Sequence, residues 1–138
     1  HVGRPVILTS AVRDEGTSYH YLPADAPAVP HPDAVAALIA TFDAQGLPYL
    51  TGAAWTTDGI YRETEARRAL RVAQGCLVVE MEAAAFFAAA QFRQVRFGQV
   101  VYGGDLVVPE GWDGRRWHTR GEIREELFWL AVDASTRM

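Results

Sequence analysis

Leu77 to Phe92 reads LVVEMEAAAFFAAAQF, and the reading of this stretch decides the fold. Leu77, Val78 and Val79 have the branching and length of a short buried strand. Neither Gly nor Pro separates them from an Ala-rich run long enough for a helix, apolar on nearly every face and so expected to be buried. A strand feeding directly into a helix is the building unit of layered α/β domains. At the junction stand Glu80 and Glu82, with Met81 between them. Two carboxylates at the edge of a core cost on the order of several kcal/mol unless each finds donors or a counter-charge. The free N–H groups and positive dipole end of the helix supply part of that need. The hydroxyls of a sugar would supply the rest. A helix-capping acid plus an ion pair with one of the arginines would serve as well, and the pattern alone does not separate the two.

Working outward, the same alternation of strand and helix extends in both directions. Positions 6 to 12, VILTSAV, read as a strand that begins almost at the first residue. A long polar segment follows, Arg13 to Pro23, leading into the Pro-rich stretch Pro23 to Pro32. Ordered loops of this length are often functional, and its aromatic content suits a subunit contact. Asp33 to Gln45 predicts a helix with apolar positions at Val35, Leu38, Ile39 and Phe42, stopped by Gly46. Leu47 to Trp55 predicts a second strand, ending in Thr56, Thr57, Asp58 and Gly59. A helix from about Thr64 to Gln74 carries Glu63, Glu65, Arg67, Arg68 and Arg71 in or beside it, a density that reads as a solvated face without a catalytic role.

Beyond the opening stretch, Phe97 to Val101 predicts a fourth strand, followed by Gly103, Gly104 and Asp105. Two glycines and an acid beyond a strand suggest backbone brought close to a ligand, although an ordinary Gly-Asp turn has the same composition. Val107 to His118, with Trp112 and Trp117, reads as a loop able to act as a lid or to pack on a neighbour. Thr119 and Glu122 have capping-box spacing before a last helix that would bury Ile123, Leu127, Leu130 and Ala134. The order predicts one α/β domain over residues 1–138 with a largely parallel sheet. Thr57/Asp58, Glu80 to Glu82 and Gly104/Asp105 all follow strands, so they are expected at one edge of the sheet, where α/β domains place ligands.

Composition narrows the function classes. With 49% hydrophobic and 22% charged residues the chain has an ordinary globular balance, which argues against disorder. A net charge of −4 gives no basic footprint for nucleic acid. The lone cysteine, Cys76, cannot form an internal disulfide, which points to a reducing, cytoplasmic setting. No apolar run approaches the ~20 residues of a membrane span, and HVGRP is not expected to be a signal peptide. His1, His20, His31 and His118 lack metal-ligand spacing, so no metal site is expected. Neither a nucleophile elbow nor a Walker-type loop is present. The carboxylates and hydroxyls that remain suit polyol binding and protonation of a leaving group.

Three motifs sharpen this. VEMEAAA at Val79 to Ala85 resembles the signature of the nucleoside phosphorylase family, which includes purine nucleoside and uridine phosphorylases and related nucleosidases. SAVRDEGTSYHYLPADAPAV (Ser10 to Val29) and AWTTDGIY (Ala54 to Tyr61) resemble its uridine phosphorylase branch. The resemblance implies a three-layer α/β/α fold with a mixed, largely parallel sheet, homodimers or higher homo-oligomers, and cleavage of a nucleoside's N-glycosidic bond. Inorganic phosphate would be the co-substrate in a phosphorylase, water in a nucleosidase, and no other cofactor is implied. By the same resemblance Glu82 holds the ribose hydroxyls, Met81 packs on the sugar, and Glu80 and Val79 line the pocket wall. Asp105, beside Gly104, matches the acid that protonates the departing base in purine-cleaving members, and so leans toward purine.

Departures from the family pattern fall in two places. Ile60, followed by Tyr61, stands where an aromatic usually stacks on the base, giving up a preference of about 0.5 to 1.5 kcal/mol. Thr64 and Ala66 stand where the uridine branch reads uracil. The family's phosphate-binding loop and arginines would lie upstream of His1, so the chain corresponds to roughly the C-terminal half of a member. A sheet edge is then expected to be exposed. The alternative to a working enzyme is a non-catalytic remnant that self-associates.

Overall fold

The structure is a computed structural model describing residues 3–108, 111–114, 119 and 121–138. Three strands of its sheet run parallel: β1 (Pro5–Asp14), β2 (Leu50–Thr57) and β3 (Cys76–Glu80). A short β4 (Val100–Tyr102) joins antiparallel to β1, giving the order β3-β2-β1-β4. A separate hairpin of β5 (Leu106–Val108) and β6 (Gly111–Asp113) follows. The helices are α1 (Pro32–Ala44), α2 (Glu65–Ala73), α3 (Ala83–Arg93) and α4 (Gly121–Ser135). None of them is long and apolar enough to cross a membrane.

Alternation along β1 divides the core into two halves. Val6, Leu8 and Ala11 pack with Ala54, Ala83, Ala84 and Phe87 of β2 and α3. Ile7 packs on the other side with Leu38 and Phe42 of α1 and Leu130 and Ala134 of α4. Helices therefore cover both faces of a mixed sheet, which is the three-layer α/β/α arrangement. The stop of α1 is built as its sequence predicts, with Gly46 at φ 63° and the Leu47 N–H donating to the Phe42 carbonyl. That bond draws Leu47 into the helix end, and Pro48 has no N–H for a ladder, so β2 begins at Leu50 and not at Leu47.

Two expectations about the opening stretch need correction. β3 is an edge strand, with Val78 and Val79 half-buried and Leu77 half-exposed. α3 is buried on one stripe only, Ala83, Ala84, Phe87 and Ala88, while Phe86 and Phe92 are about half exposed. Apolar composition told which faces can be buried; the number of neighbouring layers decided which ones are. The last helix buries Leu130 and Ala134 fully and Ile123 and Leu127 partly. Trp117 and His118 of the expected lid, and Arg120 within the expected Thr119–Glu122 capping box, lie outside the described residues.

Candidate active site

Parallel pairing sets the ends of β1, β2 and β3 side by side, with Arg13 opposite Thr56 and Thr56 opposite Glu80. The Thr56 hydroxyl donates to Glu80 Oε1 at 2.5 Å and accepts from the Ala84 N–H at 3.0 Å. Glu80 Oε2 accepts from the N–H groups of Glu82 at 2.8 Å and Ala83 at 2.6 Å. Glu80 is thus the acid that caps α3, and its carboxylate is filled by the protein. Glu82, one residue before α3, makes no side-chain cap bond. Its exposed carboxylate has no hydrogen bond or ion pair among the described residues, and Met81 beside it is exposed as well.

The other polar cluster on this edge is structural. Thr57 accepts from the Gly59 N–H at 3.2 Å, and Asp58 Oδ2 accepts from the Gly16 N–H at 3.1 Å, tying the β2–α2 connection to the loop after β1. That loop is ordered by its own arginine. Arg13 donates to Ser18 Oγ at 2.9 Å and to the carbonyls of Leu22, Pro23 and Ala26, and lies 4.1 Å from the Tyr19 ring centroid.

At the tip of β1, Asp14 accepts from Trp55 Nε1 at 2.9 Å and from Arg71 at 3.0 Å, with Arg67 at 3.5 Å. Burial pushes the Asp14 carboxyl up. The hydrogen bonds from Arg71 and Trp55 and the charges of Arg71 and Arg67 outweigh it, so the pKa falls below the ordinary 3.8. A lowered carboxylate pKa contributes stability that is present above the unfolded value and lost as pH falls through the folded one. Asp14→Asn is therefore expected to cost on the order of 2 kcal/mol at pH 7. Urea unfolding at stepped pH should show this gap shrinking below the ordinary aspartate value; a gap independent of pH would contradict the linkage.

An open cavity of about 430 Å³ lies beside β3 and draws several of these groups together. Val79 and Glu80 line it, as do Gly104 and Asp105. The shared edge expected from the sequence is corrected here: β4 runs antiparallel, so Gly104 and Asp105 leave the sheet where β1 begins, at the end opposite Glu80. They meet the Glu80 side because the cavity's lining runs the length of β3, from Cys76 to Glu80. Ile60 and Tyr61 stand apart, in an exposed turn (Ile60–Arg62) with Tyr61 96% exposed, and neither they nor Met81 and Glu82 line the cavity.

Three lining residues were read from the sequence only as part of a solvated helix. Glu63, Arg68 and Arg71 all face the cavity. Burial pushes the Glu63 carboxyl up, and the negative charge of Asp105 adds to the shift. Arg68 and Arg71 are three residues apart and share a stripe of α2, a spacing that was available to read. The partners that bury Arg71, Asp14 and Trp55, come from other strands, and no local signal announces them.

Fold and site together define a three-layer α/β domain with a carboxylate-lined and arginine-lined cavity beside its edge strand. The model of the phosphorylase superfamily matches residues 1–126, and the chain belongs to that family. Among curated proteins it is 33% identical over 107 residues to a guanosine phosphorylase of Halorubrum lacusprofundi, covering 77% of this chain and 44% of that one. Purine nucleoside phosphorylase from Toxoplasma gondii, in complex with immucillin-H, shares the fold with TM-score 0.79 at 20% identity, over 99% of this chain and 57% of that one. AMP nucleosidase from Bacteroides thetaiotaomicron does so with TM-score 0.73 at 24% identity, over 99% and 53%. The chain spans about half the length of each of these relatives.

Proposed function

We propose that this chain carries the sugar and base half-site of a nucleoside phosphorylase-like pentosyltransferase that cleaves the N-glycosidic bond of a purine nucleoside, with inorganic phosphate as co-substrate. The observation that carries the reading is the division of labour at the α3 junction. Glu80 spends its oxygens on Thr56 and on the helix N–H groups, whereas the Glu82 carboxylate has no hydrogen bond or ion pair among the described residues. A carboxylate held near a rigid junction and left unfilled is a ready acceptor for two ribose hydroxyls. As the C1′–N bond breaks, its electron pair leaves with the base, and positive charge grows on the sugar. Fixed carboxylates favour that oxocarbenium-like state. Asp105 gives its proton to the departing base, and a phosphate oxygen bonds to C1′. Met81 packs on the sugar, and Val79 and Gly104 flank the base.

The same reading includes a cytoplasmic setting and a homodimer or higher homo-oligomer, for which the exposed Phe86 and Phe92 offer apolar surface. The test is cleavage of purine and pyrimidine nucleosides by the intact protein, with and without phosphate. Phosphate-dependent purine cleavage supports the proposal. Cleavage that ignores phosphate makes the protein a nucleosidase, and failure to bind any nucleoside leaves a non-catalytic, self-associating domain. Within that assay Glu82→Gln is expected to weaken nucleoside binding about tenfold or more, since hydrogen bonds to a charged group are the strong ones. Its melting temperature should stay at the wild-type value, because the carboxylate makes no hydrogen bond or ion pair among the described residues. Unchanged affinity would remove Glu82 from the site.

A further inference from the structure

In the sequence, Thr57 and Asp58 stand out after β2, but the residue that ties this edge of the sheet to α3 is the one before them. Thr56 is fully buried, and the parallel register sets it between Arg13 of β1 and Glu80 of β3. A hydroxyl has a single proton to give. The Ala84 N–H can only donate, so the Thr56 oxygen accepts there at 3.0 Å. Its own proton goes to Glu80 Oε1 at 2.5 Å, the short distance of a bond to a carboxylate. One side chain thus links β2 to the last residue of β3 and to the first turn of α3.

What Glu80 receives from Thr56 it passes on. Its other oxygen, Oε2, accepts from the N–H groups of Glu82 at 2.8 Å and Ala83 at 2.6 Å. The Glu82 carbonyl accepts from the Phe86 N–H at 3.0 Å. Glu82 is therefore held by its main chain on both sides, while its carboxylate has no hydrogen bond or ion pair among the described residues. Bonds at Oε2 alone would let the Glu80 carboxylate turn about its side-chain torsions; the bond at Oε1 fixes its plane. Without the Thr56 hydroxyl, one Glu80 oxygen is left unfilled and the buried Ala84 N–H loses its acceptor, and both losses favour a shift of the first turn of α3. We propose that Thr56 is a positioning residue of the nucleoside site: buried away from the substrate, it sets the place of the Glu82 carboxylate through Glu80. A binding group has to be held to within about 0.5 Å of its productive position, which is more than a free side chain achieves. This role rests on the reading of Glu82 as the acceptor of the ribose hydroxyls, and the test keeps the two apart.

Titration calorimetry of the intact protein with guanosine, across Thr56→Val, Thr56→Ser, Glu82→Gln and the double variant Thr56→Val/Glu82→Gln, decides it. Valine has the shape of threonine without the hydroxyl, and Thr56→Val is expected to weaken guanosine binding about tenfold, whereas Thr56→Ser keeps the hydroxyl and should stay within about twofold of the wild type. Because Thr56 acts through Glu82, adding Thr56→Val to Glu82→Gln should cost little further affinity, so the two losses are strongly non-additive. A merely structural Thr56 would lower the melting temperature in both backgrounds and leave the affinity of the folded protein where Glu82 sets it. If Thr56→Val does not fold, Glu80→Gln breaks the same link from the other side: its amide has one acceptor oxygen for the α3 N–H groups and none for Thr56, and the same non-additive loss is expected. Unchanged affinity in variants shown by circular dichroism to be folded, a serine that fails to restore binding, or losses that add in the double variant overturns the proposal while leaving Glu82 in the site. Guanosine that does not bind the wild-type protein, or binds Glu82→Gln equally well, removes the sugar site itself and the role of Thr56 with it.

Discussion

Asp105→Asn is expected to lower the turnover of a purine nucleoside about 10²- to 10⁴-fold, the usual worth of a positioned proton donor, while leaving nucleoside affinity largely intact. The side chain is isosteric and still forms hydrogen bonds, but it has no proton to release. Asp105 shares the cavity with Val79 and Glu80 and stands close enough to Glu63 for its charge to raise the Glu63 carboxyl. The discriminating measurement compares an ordinary purine nucleoside with one whose base is already cationic and departs without help. The loss should be large for the first and small for the second. Equal losses for both would mean that the substitution disturbs structure, and the role of proton donor would pass from Asp105.

Much of the architecture is legible because its signals are local. Thr64 caps α2, Gly46 stops α1, and the alternation in β1 sorts Ile7 from Val6 and Leu8 onto opposite faces. What could not be read depends on partners far away in the chain. Two carboxylates at the α3 junction look alike in sequence, yet Glu80 is the cap because Thr56, 24 residues earlier, lies opposite it in the sheet. The direction of β4 is set by its pairing with β1, which no property of Phe97 to Val101 announces, and that direction sends Asp105 to the far end of the sheet. Arg71 resembles its neighbours on a charged helix until Asp14 and Trp55 arrive from two other strands. The family motifs drew attention to two carboxylates at the α3 junction, but which of them has its oxygens taken by the protein is a property of the hydrogen bonds.

Those hydrogen bonds depend in turn on how α3 is seated, and one side chain does most of the seating. Phe87→Ala is expected to destabilise the domain by about 3 to 5 kcal/mol, the range for deleting a buried aromatic ring. Phe87 is fully buried, with its ring 6.0 Å from that of Phe97, in a cluster otherwise rich in alanine: Ala11, Ala28, Ala54, Ala83 and Ala84. Short side chains cannot lean in to fill the space a lost ring leaves, so the site should collapse poorly and fall toward the upper end of that range. Against a total stability of about 5 to 15 kcal/mol for a domain, this is a large fraction. Phe86, the adjacent and half-exposed residue, is the control: its alanine variant should cost far less. Urea unfolding of the two variants measures the difference directly, and equal losses would mean that α3 is not held by the buried stripe. Function should follow stability here. Ala83 and Ala84 supply the N–H groups that Glu80 and Thr56 accept, so a loosened α3 releases the Glu80 carboxylate from its cap and blurs the position of Glu82. Nucleoside affinity should therefore fall in Phe87→Ala even at temperatures where the protein is still folded, and should be kept in Phe86→Ala.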